Sequence, residues 1–398
     1  MKNRKETVMD VTAVICEYNP FHLGHEYHLK SIRESAVIAI MSGSFTQRGE
    51  AAVLSKYKRA EIAVRCGADL VLELPFPYSS ASAEIFGDAG VYIANALGCV
   101  DTLSFGSERG DIDALLTVSS RLCSPEYQSA FAAHLAKGHE NAYRTAGAAV
   151  YRELYGEDFA ENGSNDILAL SYLSALKKYG SEIKPMTVMR KGERYNGEGE
   201  GFASATSIRS YIKANDFEKL TRSVPSATAD ALFDALKNGN LADGGKLYPL
   251  FASLVRTRGK AVFDGLYDIP DELAARCVKN IYARDTEEFL SLCITKNYSP
   301  SRVRRAMLTA LMNVRKEDVC EPAYTTVLAA NERGRALLKQ IKKTASVPVI
   351  TKPADAQKYG EAAEKAFSLS ARADGVWELL CDRPRSGNAM MKERPLML

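Results

Sequence analysis

Three of the five histidines stand at intervals of three, His22, His25 and His28, inside the string E-Y-N-P-F-H-L-G-H-E-Y-H (Glu17–His28). An imidazole can donate, accept or ligate a metal, so two chemistries compete here. Spacing of three places side chains near one helical face, which suits a metal. A zinc-protease pattern, however, needs H-E-x-x-H, and Glu26 is followed by Tyr27 and His28, so that spacing fails. The other chemistry is phosphate handling. The apolar run Val11–Cys16 reads as a buried strand, Asn19-Pro20 as a turn, and the stretch from Leu23 as a helix. A helix start offers unpaired N–H groups and the positive end of a dipole to an anion. Gly24 lets backbone approach a ligand, and the flanking imidazoles add donors. The order strand, glycine-bearing turn, helix favours phosphate. His28, a turn into the helix, is the histidine most open to a plain packing role.

Around this segment the chain alternates. Strand-like runs at Val11–Cys16, Ala36–Met41, Asp69–Leu74, Cys99–Phe105 and Pro185–Met189 are separated by helical patterns. Those patterns are Leu23–Ala36, Ser55–Cys66, Ser80–Leu97, Asp111–Leu122, Asn141–Tyr155 and Asn165–Tyr179. Such alternation predicts an α/β fold with an open parallel sheet, whose ligands bind beyond the carboxyl ends of strands. From Ser204 the pattern turns helical: Ala205–Ala214, Ala227–Asn238, Tyr248–Arg258, Pro270–Ala283, Thr286–Ile294 and Ser301–Val314. Strand-like runs are nearly absent until Val347–Thr351. The expected division is residues 1–203 as the catalytic domain, 204–343 as a mainly helical second domain, and 344–398 as an α/β tail. The Gly-rich stretch Asn196–Gly201 reads as a loop.

Composition narrows the class. At 398 residues the chain exceeds one ordinary core. A net charge of +3 gives no global field for nucleic acid, so RNA binding would need local basic patches. The eight cysteines form no C-x-x-C pair, which argues against a thiolate zinc site and for free thiols in a reducing compartment. No signal-peptide pattern and no bilayer-length apolar run is present, so a cytoplasmic protein without a membrane partner is expected. Nothing in the composition speaks to oligomeric state.

The H-L-G-H string resembles the H-x-G-H phosphate motif of the nucleotidylyltransferase superfamily, shared with class I aminoacyl-tRNA synthetases. The longer E-Y-N-P-F-H-x-G-H-x-x-H resembles the tRNA(Met) cytidine acetate ligase family. The likeness continues through Met41–Glu50 (M-S-G-S-F-T-Q-R-G-E), Lys56–Arg59, Gly67–Pro75, Phe105-Gly106-Ser107-Glu108, Asn165–Leu168 and Ser204–Arg209. It resumes at Tyr298–Leu308 and Asn331–Arg335.

This resemblance implies a Rossmann-like nucleotidylyltransferase sheet and an enzyme that joins acetate to AMP from ATP. The acetyl group would then pass to the wobble cytidine of elongator tRNA(Met). The implied ATP site is Ile15, Cys16, Glu17, Tyr18, Asn19, Pro20, Phe21, His22, Leu23, Gly24, His25, Glu26, Tyr27 and His28, with Gly106, Asn165 and Arg190. His22 and His25 would act on the triphosphate, and Mg2+ would ride on its phosphate oxygens without a dedicated protein cage. The Ser/Thr-rich turn Ser204–Arg209 would be a second phosphate element. Lys56 and Arg59 would touch phosphate or tRNA, or form a solvated helix face. Arg302, Arg304 and Arg305 oppose the dipole of the helix they begin, which favours an external anion such as RNA phosphate. A second basic stretch, Arg333–Lys343, could share that role or be a solvated face. The alternative function is a small-molecule nucleotidylyltransferase making a coenzyme-type product. The chain departs from the family pattern at Ala51, at Ser164 and at Tyr195-Asn196-Gly197.

Overall fold

The computed structural model of the chain describes residues 10–136, 143–157, 163–191, 202–385 and 392–398. Its first five strands are β1 (Val11–Cys16), β2 (Ala36–Ser42), β3 (Leu70–Leu74), β4 (Thr102–Ser107) and β5 (Lys184–Met189). They run parallel in the order β5-β4-β1-β2-β3. The chain builds outward from β1 through β2 to β3, then returns to β1's other side for β4 and β5. The order therefore reverses at β1 and β4, the place where an open sheet leaves a crevice beyond its carboxyl ends. The turn carrying His22 and His25 leaves β1 there.

β1 (VTAVIC) and β2 (AVIAIMS) are buried along their whole length, as strands covered on both faces must be. Period-two alternation divides them. Val14, Val37, Ala39 and Met41 face one core, and Ala13, Ile15, Ile38 and Ile40 face the other. The second core is closed by α3 (Ala83–Ala96), α4 (Ile112–Leu122) and α7 (Ser164–Lys178), beside α5 (Pro125–Ala136) and α6 (Tyr143–Tyr155). The first core begins under α1 (Leu23–Ser31) and α2 (Lys56–Arg65). It then runs without a break into the second half of the chain. That half contains α8 (Ala205–Ala214), α9 (Phe217–Ser223), α10 (Ser226–Asn238), α11 (Leu247–Arg258), α12 (Asp271–Lys279), α13 (Thr286–Cys293) and α14 (Pro300–Met312). The helical segment thus shares a core with the sheet.

Several elements refine the sequence expectation. β6 (Thr325–Ala330) lies in the stretch expected to be helical, pairs antiparallel with β3 and extends the main sheet. Its T-T-V-L-A-A is short and Ala-rich, so periodicity could not mark it. The Val347–Thr351 signal yields only the two-residue β7 (Val349–Ile350), which joins β6, as does β8 (Leu396–Met397). The tail is dominated by α16 (Glu361–Leu379), after α15 (Glu332–Thr344), and one face of α16 is buried against the sheet's loops. The helix α1 also ends a turn earlier than expected, at Ser31, because Ile32–Ser35 turn back toward β2, with Ser35 Oγ donating to Thr12 Oγ1 at 2.7 Å. The Asn196–Gly201 loop and Tyr195-Asn196-Gly197 lie outside the described residues.

Candidate active site

The site grows from the turn after β1. Tyr18 takes positive φ (50°), Asn19-Pro20 is cis, and the Tyr18 and Phe21 rings are buried in the core with centroids 4.7 Å apart. These side chains build the turn from beneath. Asn19 fixes it to the neighbouring loop, its Oδ1 accepting from Val53 N (2.8 Å) and its Nδ2 donating to Ala51 O (3.4 Å).

His22 then caps α1, and the cap is unusual. Its Nδ1 accepts from Gly24 N at 3.1 Å, while His25 Nδ1 accepts from His22 N at 3.2 Å. This is the reciprocal logic of a capping box, made by two imidazoles in place of a hydroxyl and a carboxylate. It has a chemical consequence. With both Nδ1 atoms accepting, each neutral ring carries its proton on Nε2, so each becomes an Nε2–H donor. The rings stack at 3.6 Å. Burial drives the His22 pKa down to about 3, assisted by Arg190. Burial, His22 and Arg190 hold His25 well below its usual value too. Both are donors without a charge of their own at neutral pH. Gly24 is required by the same geometry, because a Cβ there would lie 2.9 Å from His22 Cε1 and displace the capping ring.

His28 faces the sheet. Its Nε2 lies 2.8 Å from Ser104 Oγ on β4, and burial with Arg190 lowers its pKa to about 4. It ties α1 to β4.

A second arm comes from β4, α7 and β5. Arg190, just past β5, donates from Nη1 to Asn165 Oδ1 at 3.2 Å. Asn165 Nδ2 donates to Glu108 Oε1 at 2.6 Å, and Glu108 also accepts from the backbone N–H groups of Asn165 (3.2 Å) and Asp166 (2.8 Å). Glu108 therefore caps α7 and orients Asn165 toward Arg190. Burial raises the Glu108 pKa, but the donors from Asn165 and Asp166 outweigh it and keep the group a carboxylate. Gly106 packs tightly on Arg190, since a Cβ would sit 3.2 Å from Arg190 Cγ and push the stem aside. Arg190's charge acts on all three histidines, so the two arms converge on one place.

The start of α8 closes a third side. Ser204 caps it, accepting from Ser207 N at 3.1 Å, and its Oγ lies 2.8 Å from Ser207 Oγ. Phe202, just before it, lies 5.7 Å from Tyr27 ring to ring and would be 3.6 Å from a Cβ on Gly24. Two helix N-termini, α1 and α8, therefore adjoin. Arg209 donates to Asn19 O (2.9 Å), Glu50 Oε2 (2.8 Å) and Thr206 Oγ1 (3.4 Å).

The remaining segment residues support these. Ile15 packs under Gly90 of α3, and Cys16 is buried with its thiol pKa raised by that burial. Glu17 accepts from Gln47 N at 2.6 Å and is pushed upward by burial. Glu26 pairs with Lys30 at 3.1 Å, Tyr27 lies under the Lys191 ammonium at 4.9 Å, and Pro20 is buried while Leu23 is half-buried.

Two basic residues read as phosphate or tRNA contacts are spent inside the protein. Lys56 is 3% exposed and lies between Glu73 (2.8 Å) and Asp374 (2.7 Å). Arg59 is fully buried and donates to the carbonyls of Leu54, Glu17, Ser42 and Gly43, clamping the ends of β1 and β2. Neither is a solvated face. The α14 arginines are also engaged. Arg302 pairs with Asp268 (3.0 Å), Arg304 approaches Glu50 (3.6 Å), and the half-buried Arg305 donates to Gln47 O (3.3 Å). Sequence reasoning gave Glu108 and Glu50 no role. Each stands within a family-like string, but its partners lie far away in the chain. Among the described residues no group of three or more His, Cys, Asp or Glu is disposed to hold a metal. No helix there is long and apolar enough to cross a membrane.

Comparison with known proteins places this geometry. A family model described as HIGH Nucleotidyl Transferase matches residues 9–392. The chain is 35% identical over 361 residues to a tRNA(Met) cytidine acetate ligase of Thermoanaerobacter sp. (strain X514), covering 86% of this chain and 89% of that one. It is 34% identical over 395 residues to the protein of that name from Clostridium perfringens (strain ATCC 13124), covering 94% and 96%. A crystal structure of Thermotoga maritima TmcAL bound with alpha-thio ATP superposes with a TM-score of 0.89 at 30% identity, covering 98% of this chain and 100% of that one.

Proposed function

Because the chain belongs to the HIGH Nucleotidyl Transferase family, among its tRNA(Met) cytidine acetate ligases, we propose that ATP lies against the β1–α1 turn and is attacked there by acetate. The chain is an ATP-dependent tRNA(Met) cytidine acetate ligase. The observation that carries the mechanistic reading is the double-imidazole cap, which commits the Nε2–H groups of His22 and His25 to donation beside Arg190.

Acetate is ionised at neutral pH and needs no base. Its oxygen attacks the α-phosphorus, the bond to the β-phosphate oxygen breaks, and pyrophosphate leaves with that electron pair. His22 and His25 donate to the charge that builds on the leaving group, and the α1 dipole adds to the same field. Neutral donors suit this step, because they strengthen as charge develops without first binding the substrate as a fixed ion pair. Arg190, held by Asn165 and Glu108, presents a planar fork to phosphate oxygens. Gly106 lets the Arg190 stem lie close against the end of β4, which carries that fork toward the phosphates. Ser204, Thr206, Ser207 and Arg209 at the start of α8 close over the triphosphate from the opposite side. Magnesium would be held by the triphosphate rather than by a protein cage, in the place lined by His22, His25 and Arg190, and would supply positive charge against the phosphates.

In the second step the N4 amine of the wobble cytidine attacks the acetyl carbonyl. AMP leaves, a proton is released, and N4-acetylcytidine forms. The base must leave its stack to reach the crevice. The helical segment within residues 204–343 carries the elongator tRNA(Met), with the start of α14 among its contacts through Arg302, Arg304 and Arg305. The enzyme works in the cytoplasm, with its substrate tRNA.

Two measurements test the reading. ATP–pyrophosphate exchange should require acetate. Nucleoside mass analysis of elongator tRNA(Met) incubated with enzyme, ATP and acetate should gain an acetylated cytidine. Exchange driven only by a phosphorylated small molecule would instead identify a coenzyme-forming nucleotidylyltransferase.

A further inference from the structure

The string Gln47-Arg48-Gly49-Glu50 lies outside the site just described, yet it touches every arm of it. Gln47 N donates to Glu17 at the end of β1, and Gln47 O accepts from Arg305 of α14. Arg48 donates to Ser164 Oγ at the start of α7, beside Asn165, at 3.3 Å. Gly49 takes φ +73°, and a Cβ there would lie 2.8 Å from Arg305 N and from Arg304 Cβ, so the turn seats directly on α14's first turn. Glu50 is shared, with Oε2 at 2.8 Å from Arg209 and Oε1 at 3.6 Å from Arg304. Arg209 is thus steered by one carboxylate and by Asn19 O, a carbonyl of the phosphate turn.

We infer that Glu50 is a positioning residue that aims Arg209 at the triphosphate and takes its own placement from α14. A guanidinium on a long stem loses much rotamer freedom when it is fixed, and that loss must be met before the ligand arrives if binding is to be tight. Glu50 and Asn19 O meet it here. Their acceptors occupy Nη1 and Nη2 and leave the rest of the fork for an anion. Gly49 keeps this carboxylate from drifting, because only a residue without Cβ lets the turn rest on α14. The inference rests on the proposed role of α8 at the triphosphate.

A double-mutant cycle in acetate-dependent ATP–pyrophosphate exchange tests it. Arg209→Ala should raise the KM for ATP about tenfold or more, the cost of a charge-assisted contact. Glu50→Gln should raise it several-fold, with kcat changed less. In the Arg209→Ala background, adding Glu50→Gln should leave KM unchanged within about twofold. Glu50→Asp, which keeps the charge with a shorter reach, should fall between wild type and Glu50→Gln, and it serves if Glu50→Gln folds poorly by thermal midpoint. An equal rise in KM from Glu50→Gln with and without Arg209 would make Glu50 merely structural and overturn the inference. A rise with Arg209→Ala and none with any Glu50 variant would overturn it while sparing α8's role. No change with Arg209→Ala would remove α8 from the triphosphate and the inference with it.

Discussion

The starts of α1 and α14 look alike in sequence and differ in use. Both helices open with nitrogen-bearing side chains where an anion would be welcome: His22 and His25 in one, Arg302, Arg304 and Arg305 in the other. At α1 the backbone occupies both Nδ1 atoms, which leaves Nε2–H as the donor of each ring. At α14 the guanidinia are drawn back onto Asp268, Glu50 and Gln47 O. The difference teaches that a cationic or donor pattern serves an anion only through the donors its scaffold leaves unspent, so α14 can meet RNA phosphate only with the guanidinium N–H groups not turned onto Asp268, Glu50 and Gln47 O. Lys56 and Arg59 mark the far limit, since Lys56 is held between Glu73 of β3 and Asp374 of α16 and Arg59 is spent on backbone carbonyls at the ends of β1 and β2.

The sharpest break with the anion reading is therefore at Arg59. Replacing it with Met should leave the carbonyls of Glu17, Ser42, Gly43 and Leu54 without donors. A loss of about 3–5 kcal/mol in unfolding free energy is expected, with urea midpoints as the readout. A variant as stable as wild type, but dead in exchange, would return Arg59 to the phosphates. At α1 the expectation is reversed. His25→Ala should cut acetate-dependent exchange about a hundredfold or more, the scale of losing one transition-state donor. Its affinity for tRNA should stay within about twofold, as read by filter binding. Exchange at wild-type rate in that variant would end the proposed role of the turn.

How far these contrasts were legible follows from chain distance. The strand, the turn, Gly24 and the histidine pair sit in a dozen or so consecutive residues, so spacing alone exposed them. The α/β alternation of the first half was legible for the same reason: β1, β2 and β3 are buried, mainly apolar runs, and α2 and α4 are announced by the caps Ser55 and Asp111. Glu108 was not legible, because Asn165 lies 57 residues away and only the fold makes them a pair. The burial of Lys56 depends on Asp374 of α16, at the other end of the chain. β6 escaped because it is short and buried on both faces, so T-T-V-L-A-A shows no period-two alternation to set it apart from the helices around it.

Within α14 the comparison can be made finer. Arg304 meets its partner at 3.6 Å, while Arg305, equally half-buried, is bonded to a carbonyl at 3.3 Å. Arg305→Ala should cost stability, by about 1–2 kcal/mol, since Gln47 O is then left unpaired. Arg304→Ala should leave stability nearly unchanged and reduce the slope of log affinity against log salt for tRNA by about one unit. Equal salt slopes for wild type and Arg304→Ala would remove α14's first turn from the RNA interface.

The smallest effect concerns pH. Burial depresses His22 to about 3 and His28 to about 4, and His25 lies well below its ordinary value. The unfolded chain binds protons at these positions near pH 6.5, and the folded chain does not. The stabilisation they give is complete above pH 6.5 and is lost as pH falls toward the folded values, by at most about 1.4 kcal/mol per pH unit for each histidine. Glu17 and Glu73 act oppositely, because burial raises them, and the folded state takes up their protons first. A single variant separates the two. His28→Gln removes one titrating ring, and its amide can still reach Ser104, so the fall in unfolding free energy between pH 7 and 5 should be shallower than in wild type. Arg190 adds to the burial that opposes protonation of His28, so Arg190→Gln should raise the folded-state value and narrow the same window from its acid end. A His28→Gln profile parallel to wild type would mean that the ring is protonated as readily in the folded protein as in the unfolded one, against the burial that holds it to Ser104.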